Sequence, residues 1–248
     1  MNVPISASSA PLSPNKRAPR TLKVGGITPF TATDYPGKLA AVVFVQGCPL
    51  RCGYCHNPHL QPRTAASPLQ WSRVLSLLAR RVGLIDAVVF SGGEPTIDPA
   101  LEDAIRAVRE LGFAVGLHTA GVYPERFGTV LPLLDWVGLD IKAPFAQYEE
   151  ITALAGSGAQ ARACAELLVQ SGIDYECRTT MHPALLAEPA LLEIAHTLAG
   201  LGVRNYVLQN FRGQGCKDAH LNACTGGSYP SSALVSRIGA MFEQFTLR

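Results

Sequence analysis

Short apolar runs alternate with longer amphipathic segments along most of this chain, beginning near residue 39. The runs are rich in aliphatic and β-branched residues and stop at polar or Gly-rich turns, which is typical of parallel strands buried on both faces. The fifth run is unusual, because it carries the charged residues Glu176 and Arg178. The pattern predicts six strands, at residues 39–45, 87–90, 114–118, 136–141, 175–180 and 206–209.

The amphipathic segments predict helices. Ser67-Pro68 and Asp98-Pro99 have the residue types of an N-cap and a first helical position, so we expect helices from there to Arg81 and Leu111. Further helices are predicted at residues 159–170, 189–201 and 231–244. Six strand–helix units in series predict an α/β fold, a partial (β/α)6 barrel of parallel strands. An open doubly wound sheet is the alternative.

The composition fits a globular enzyme, since 48% of the 248 residues are hydrophobic and 16% are charged. We expect residues 22–248 to form a single domain. Residues 1–21 are basic, rich in Ser and Pro, and without the apolar core of a signal peptide. They predict a disordered tail, with a basic contact arm for a partner as the alternative.

Charge and cysteine content narrow the classes of function. The net charge of +2 gives no reason to expect a nucleic-acid partner. No apolar stretch approaches the ~20 residues that a membrane span requires, so no membrane partner is expected. Seven cysteines is an odd number, and without an export signal the chain is predicted to be cytoplasmic, where thiols stay reduced.

Three of those cysteines lie within eight residues, at Cys48, Cys52 and Cys55. A closed [4Fe–4S] centre needs four cysteines and a closed zinc site needs four ligands, so three thiolates leave one metal position open for chemistry. The spacing predicts an iron–sulfur cluster. A zinc site completed by His56 or His59 is the alternative.

Other motifs also follow predicted strands. Residues 91–95 read S-G-G-E-P after the second strand, residues 118–121 read H-T-A-G after the third, and residues 140–142 read D-I-K at the end of the fourth. The carboxyl ends of strands are where βα-barrel active sites are built, so these motifs are expected to share one site.

The glycine pair Gly92-Gly93 lets the backbone approach a ligand closely, and Ser91 and Glu94 flank it. Backbone carbonyls and the Glu94 carboxylate are suited to accept hydrogen bonds from an ammonium group. A tight turn without a ligand is the alternative for this motif.

Asp140 and Lys142 are two residues apart on a predicted strand and so are expected on one face. We favour Lys142 as the residue that holds a substrate carboxylate, with Asp140 orienting it or binding a cation; a buried ion pair is the alternative. His118 is a candidate ligand, proton carrier or structural histidine. Tyr54 offers a stacking surface for a purine or simply packs the loop.

A second group, Cys216, His220 and Cys224, is regularly spaced. We interpret these cysteines as free thiols rather than as a second metal site.

Together these motifs resemble the radical S-adenosylmethionine (radical SAM) superfamily. The stretch T-D-Y-P-G-K to C-H-N-P (residues 33–58), with G-L-H-T-A-G, L-D-I-K-A-P and E-C-R-T-T-M-H-P, is similar to the activating enzymes of anaerobic ribonucleotide reductase. The resemblance covers about residues 22–215.

This resemblance implies that Cys48, Cys52 and Cys55 ligate a [4Fe–4S] cluster whose fourth iron chelates S-adenosylmethionine. It also implies cofactor contacts from Gly92, Gly93 and Glu94 to the amino group, from Lys142 to the carboxylate and from Tyr54 to the adenine. With one electron from a donor such as flavodoxin, cleavage would give methionine and a 5′-deoxyadenosyl radical, which takes a hydrogen from a glycine Cα of the reductase.

The sequence departs from relatives at two places. Activating enzymes commonly read D-T-N-G where residues 118–121 read H-T-A-G, so the resemblance does not carry over a cation site at Asp140. Formate-lyase activating enzymes have a histidine near Gln209-Asn210-Phe211, where Asn210 or the backbone would replace it. Two other functions stay open: a radical enzyme that acts on a small molecule, such as a deazapurine synthase, and a non-catalytic electron-transfer module.

Overall fold

A computed structural model of the chain describes residues 20–224 and 229–248. Within these residues, eight strands form one sheet whose spatial order follows the order of the chain. The first two strands pair antiparallel, and every later pair is parallel. The strands are β1 (Val24–Thr31), β2 (Ala40–Val45), β3 (Ala87–Gly92), β4 (Ala114–Thr119), β5 (Trp136–Asp140), β6 (Asp174–Met181), β7 (Asn205–Asn210) and β8 (Gln244–Leu247).

Helices connect the parallel strands. They are α1 (Trp71–Ala79), α2 (Leu101–Glu110), α3 (Pro124–Val130), α4 (Tyr148–Thr152), α5 (Ser157–Ser171), α6 (Glu188–Gly200), α7 (Ala219–Ala223) and α8 (Ser232–Gly239). In the described part of the chain, no helix is both long and apolar enough to cross a bilayer.

The two faces of the sheet have different partners because side chains alternate along each strand. On one face, residues such as Val43 and Val88 join the large core that includes Leu78 and Ile105 of the helices. On the other face, the rings of Tyr35 and Trp136 stack 5.2 Å apart and cover the amino-terminal ends of the parallel strands. The residues nearer the carboxyl ends of that second face are left to line a cavity.

The predicted α/β fold, a partial barrel of parallel strands, is confirmed. All six predicted strands are present as β2 to β7, within two residues at each end. In the described residues β1 and β8 are paired only to β2 and β7, so the sheet is open.

Several elements differ from the sequence-based expectation. Strands β1 and β8 and helices α3, α4 and α7 were not predicted. The predicted helix 231–244 ends at Gly239, after which the chain enters β8. The expected tail falls mostly on residues 1–19, which lie outside the described residues.

Two predicted helix starts are wrong. Ser67 does not cap α1, which begins at Trp71. Instead, the Ser67 hydroxyl donates to the carbonyl of Val24 and accepts from the Val24 N–H, which joins the segment before α1 to β1. Asp98 lies before α2, which begins at Leu101, and its carboxylate accepts from the N–H of Ala100.

Candidate active site

A cavity of about 610 Å³ opens at the carboxyl ends of the parallel strands. It brings together every residue that the sequence suggested for the site except Glu94. Those lining it are Cys48, Cys52, Tyr54, Cys55, Ser91, Gly92, Gly93, His118, Asp140 and Lys142. Arg178 also lines the cavity. It was not predicted as a site residue, because the sequence does not show which side chain a charged residue within a strand will contact. Gln209 and Asn210 complete the wall at β7.

The cysteine loop, residues 47–57, follows β2 and is fixed mainly by backbone hydrogen bonds. The N–H groups of Gly47 and Cys48 donate to the carbonyls of Leu60 and Gln61 at 2.8 and 3.1 Å. The N–H of Arg51 donates to the carbonyl of Thr152 at 2.8 Å. The loop is therefore held from both sides by backbone hydrogen bonds.

The three cysteines are free thiols, each half-buried. Burial, reinforced by the nearby Glu94, raises the pKa of Cys48 to about 12, so this thiol stays protonated until a metal displaces the proton.

Nowhere in residues 20–224 and 229–248 do three His, Cys, Asp or Glu side chains converge as ligands of a single metal ion. A [4Fe–4S] cube instead takes each thiolate on a separate iron, so its cysteines need not meet at one point. The donor set fits a cluster with one open iron.

Glu94 is placed differently from the sequence-based expectation. Its side chain is fully buried and does not line the cavity. Oε1 accepts hydrogen bonds from the N–H and hydroxyl of Thr96 and from the hydroxyl of Thr119, and Oε2 accepts from the N–H of Ala120. The carboxylate therefore joins the loop after β3 to the loop after β4, while Ser91, Gly92 and Gly93 of the same motif line the cavity.

Asp140 and Lys142 meet at the end of β5, with Asp140 as its last residue and Lys142 just beyond it. Their charged atoms are 3.7 Å apart. Asp140 Oδ1 also accepts a hydrogen bond from Arg178 Nε at 2.8 Å, and Arg178 Nη2 lies 2.8 Å from the same oxygen as an ion pair. Burial alone would raise the pKa of Asp140, but Arg178 and then Lys142 outweigh it and lower the pKa.

Lys142 stays cationic in this setting. Burial alone would lower its pKa, but the surrounding groups, the Asp140 carboxylate among them, outweigh burial, so the pKa lies well above the usual value. The ammonium stands 5.5 Å from the centre of the Tyr54 ring. The ion pair, which was the alternative drawn from the sequence, is present. Lys142 also lines the cavity, and its role in holding a carboxylate stays a prediction.

His118 is held by two contacts. Its Nε2 lies 2.8 Å from the carbonyl oxygen of Asp34, and its Nδ1 lies 3.4 Å from the hydroxyl of Ser91. Burial, with a contribution from Arg178, lowers its pKa to about 3, so the ring is neutral. A neutral ring held by these two contacts favours a structural role for His118 in the cavity wall over a role as a proton carrier.

The three residues Cys216, His220 and Cys224 are not brought together as metal ligands. Cys216 is buried, and its thiol lies 3.5 Å from the carbonyl oxygen of Gly53, in the cysteine loop. Cys216 and Leu221 also pack around Tyr54. The segment that contains Cys216 and Leu221 therefore packs against the cysteine loop.

Comparison with known proteins identifies one superfamily. The family model described as "Radical SAM superfamily" matches residues 42–190. A protein of Methanocaldococcus jannaschii, provisionally named a glycyl-radical enzyme activating enzyme, is 31% identical over 197 residues, which are 76% of this chain and 79% of the relative. The pyruvate formate-lyase-activating enzyme of Clostridium pasteurianum is 35% identical over 125 residues, 48% of this chain and 52% of that enzyme.

Other relatives have different names. A PqqA peptide cyclase of Gluconobacter oxydans is 34% identical over 180 residues, 69% of this chain but 49% of the relative. A 7-carboxy-7-deazaguanine synthase of Methanopyrus kandleri is 31% identical over 130 residues, 44% of this chain and 52% of the relative. The chain thus spans about half the length of several relatives that it matches.

Among solved structures, Streptococcus suis SuiB bound to precursor peptide SuiA superposes with a TM-score of 0.63 at 14% identity, over 84% of this chain and 48% of SuiB. QueE from Escherichia coli gives a TM-score of 0.55 at 16% identity, over 92% of this chain and 94% of QueE. At this identity the likeness concerns the fold.

The cysteine loop generates a direct test. Replacing Cys48, Cys52 or Cys55 with Ala should abolish cluster binding, because the remaining thiolates cannot hold the cube. Anaerobic reconstitution should give about four irons per unmutated chain and almost none in the variants. Cys224→Ala, a half-buried thiol outside the loop, is the matched control and should keep its iron. Stoichiometric zinc without iron would contradict the assignment.

Glu94 generates a second test. All four of its partners are hydrogen-bond donors, so in Glu94→Gln the amide NH2 must face a donor, at a cost of about 1–3 kcal/mol in the free energy of unfolding. Chemical denaturation at pH 7 measures this. Glu110→Gln, at an exposed position, should leave stability unchanged. Equal stabilities of the two variants would show that the network does not link the loops.

Proposed function

The chain belongs to the radical SAM superfamily, and on that premise we propose that it is an activating enzyme for anaerobic ribonucleotide reductase. In this proposal it cleaves S-adenosylmethionine reductively at a [4Fe–4S] cluster and removes a hydrogen atom from a glycine Cα of the reductase. The observation that carries the proposal is the convergence of the cysteine loop, the glycine pair and Lys142 on one cavity. The relatives named as activating enzymes support it.

In this proposal, different residues of the site bind the cluster and S-adenosylmethionine. Cys48, Cys52 and Cys55 would ligate three irons and leave the fourth to the amino-acid end of S-adenosylmethionine. The backbone of Gly92-Gly93 would accept hydrogen bonds from its ammonium, and Lys142 would pair with its carboxylate. When bound, the two cofactors supply a one-electron cleavage that yields a group able to take hydrogen from carbon.

The remainder of the cavity would receive the substrate. It extends past His118 to Thr33 and Asp34, between β1 and β2, and past Asn210 to Arg212. Because the sheet is open, a loop of a folded partner has a route to the centre that a closed eight-stranded barrel would crowd. This supports a protein substrate.

The electron donor and the compartment complete the proposal. Gly53 and His56 of the cysteine loop are exposed, so a low-potential carrier such as flavodoxin can approach the cluster position from solvent. Such chemistry requires reduced thiols, which fits a cytoplasmic enzyme.

One rival has support of its own, a radical SAM enzyme that acts on a small molecule. The relative named 7-carboxy-7-deazaguanine synthase favours it. An electron-transfer module without catalysis is disfavoured, because it would use a fourth cysteine to close the cluster rather than a cavity at the open iron.

Lys142 provides a test of cofactor binding. Lys142→Ala should keep the cluster, because Arg178 still pairs with Asp140, but it should lose a charge-assisted contact with the cofactor carboxylate. The expected cost is roughly 1.5–3 kcal/mol, or about ten- to a hundredfold in affinity. An anaerobic titration with S-adenosylmethionine measures it, with Lys38→Ala, an exposed lysine between β1 and β2, as control. Unchanged affinity would remove Lys142 from the site.

The function itself is tested with the partner present. The reduced, reconstituted chain should give a protein-centred glycyl doublet by electron paramagnetic resonance when mixed with S-adenosylmethionine and an anaerobic ribonucleotide reductase. The reductase should then reduce ribonucleotides. The Cys52→Ala chain should give neither result. Cofactor cleavage without a glycyl signal, together with turnover of a purine precursor, would overturn the proposal in favour of the small-molecule enzyme.

A further inference from the structure

Helix α4 contacts the corner formed by Asp140, Ile141 and Lys142 through one buried hydroxyl. The Tyr148 Oη accepts a hydrogen bond from the backbone N–H of Lys142 at 3.0 Å and donates to the carbonyl of Asp140 at 3.1 Å. The Tyr148 side chain is fully buried. A single hydroxyl thus fixes the backbone that carries both charged residues of the corner.

The other end of α4 contacts the cysteine loop. The carbonyl of Thr152 accepts from the N–H of Arg51, which lies between Cys48 and Cys52. The Thr152 hydroxyl donates to the carbonyl of Tyr148 at 2.9 Å and lies 2.7 Å from the hydroxyl of Ser157. One short helix therefore touches the loop and the corner at once.

Helix α4 is itself held in place. A Cβ atom at Gly158 would overlap the carbonyl oxygen of Phe145 and lie 3.1 Å from the Cβ of Tyr148, so α5 packs directly against this segment. Ile151 packs with the group that contains Tyr54, and Leu154 packs with the group that contains Leu50. With contacts on all these sides, α4 is fixed relative to both the loop and the corner.

We infer that Tyr148 is a positioning residue that sets the separation between the cysteine loop and the Lys142 corner. The inference rests on the proposed function, in which one end of the cofactor binds the open iron and Lys142 together. A ligand held at two points binds well only if their separation matches its own dimensions. The Tyr148 hydroxyl supplies that match through the backbone, without touching the cofactor.

The test is Tyr148→Phe, which removes the hydroxyl and keeps the ring. The variant should keep its iron content, while its affinity for S-adenosylmethionine in an anaerobic titration should fall about five- to twentyfold, as expected for one or two lost neutral hydrogen bonds. At saturating cofactor, the change that S-adenosylmethionine causes in the electron paramagnetic resonance spectrum of the reduced cluster should be altered in shape.

Tyr206→Phe is the matched control. Tyr206 is fully buried, and its hydroxyl donates to the Thr179 hydroxyl at 2.8 Å, away from the cavity. Both variants should lose thermal stability, but Tyr206→Phe should keep the cofactor affinity and the spectrum of the unmutated chain. Equal affinities in the two variants would reduce Tyr148 to a structural residue and overturn the inference.

Failure of the inference and failure of the proposed function give different results. If Lys142→Ala weakens cofactor binding and Tyr148→Phe does not, only the positioning role is wrong. If neither variant changes cofactor binding, the assignment of Lys142 is wrong and the inference fails with it.

Discussion

The close approach of two backbones at the ends of β2 and β3 is the constraint on which the active site depends. The N–H groups of Gly93 and Glu94 donate to the carbonyls of Val45 and Gly47 at 2.9 and 2.8 Å. A Cβ atom at Gly93 would overlap the Gly47 carbonyl oxygen, so no other residue fits this contact without displacing the loop. The cysteine loop is thereby laid over the end of β3, which places its thiols beside the backbone that faces the cavity.

The later strands are joined to this pair one after another by side chains. Glu94 links the loop after β3 to the loop after β4, and the Asp140–Arg178 pair links β5 to β6. Helix α4 then connects the end of β5 back to the cysteine loop. These contacts join neighbouring loops at the rim of the cavity, in addition to the pairing of the strands themselves. Loops that are fixed in this way hold binding groups at the separations that a ligand needs.

Sequence predicted the parts of the structure that local chemistry determines. Strands β2 to β7 are apolar runs, and their motifs meet because parallel strands end at one edge. Strand β1 contains Gly25, Gly26 and Pro29, so its pattern is weak and its pairing with β2 defines it. Glu94 was misplaced because a motif gives the residue but not the direction of its side chain; the turn Pro95–Ile97 directs it inward. Arg178 was missed because its partner is 38 residues away.

The missed Arg178 bears on the proposed role of Lys142 in holding a cofactor carboxylate. A lysine next to a lone carboxylate would be expected to pair with it closely, yet here Lys142 stays 3.7 Å from Asp140 while Arg178 makes two contacts of 2.8 Å. Arg178 supplies a fork of donors that suits a carboxylate better than an ammonium does. Because Arg178 occupies Oδ1 of Asp140 and Lys142 stays 3.7 Å from Oδ2, the Lys142 ammonium is not held to Asp140 at hydrogen-bond distance and has donor capacity for another partner. The half-buried ion pair therefore keeps a cation at the cavity wall, as the proposed contact with a cofactor carboxylate requires.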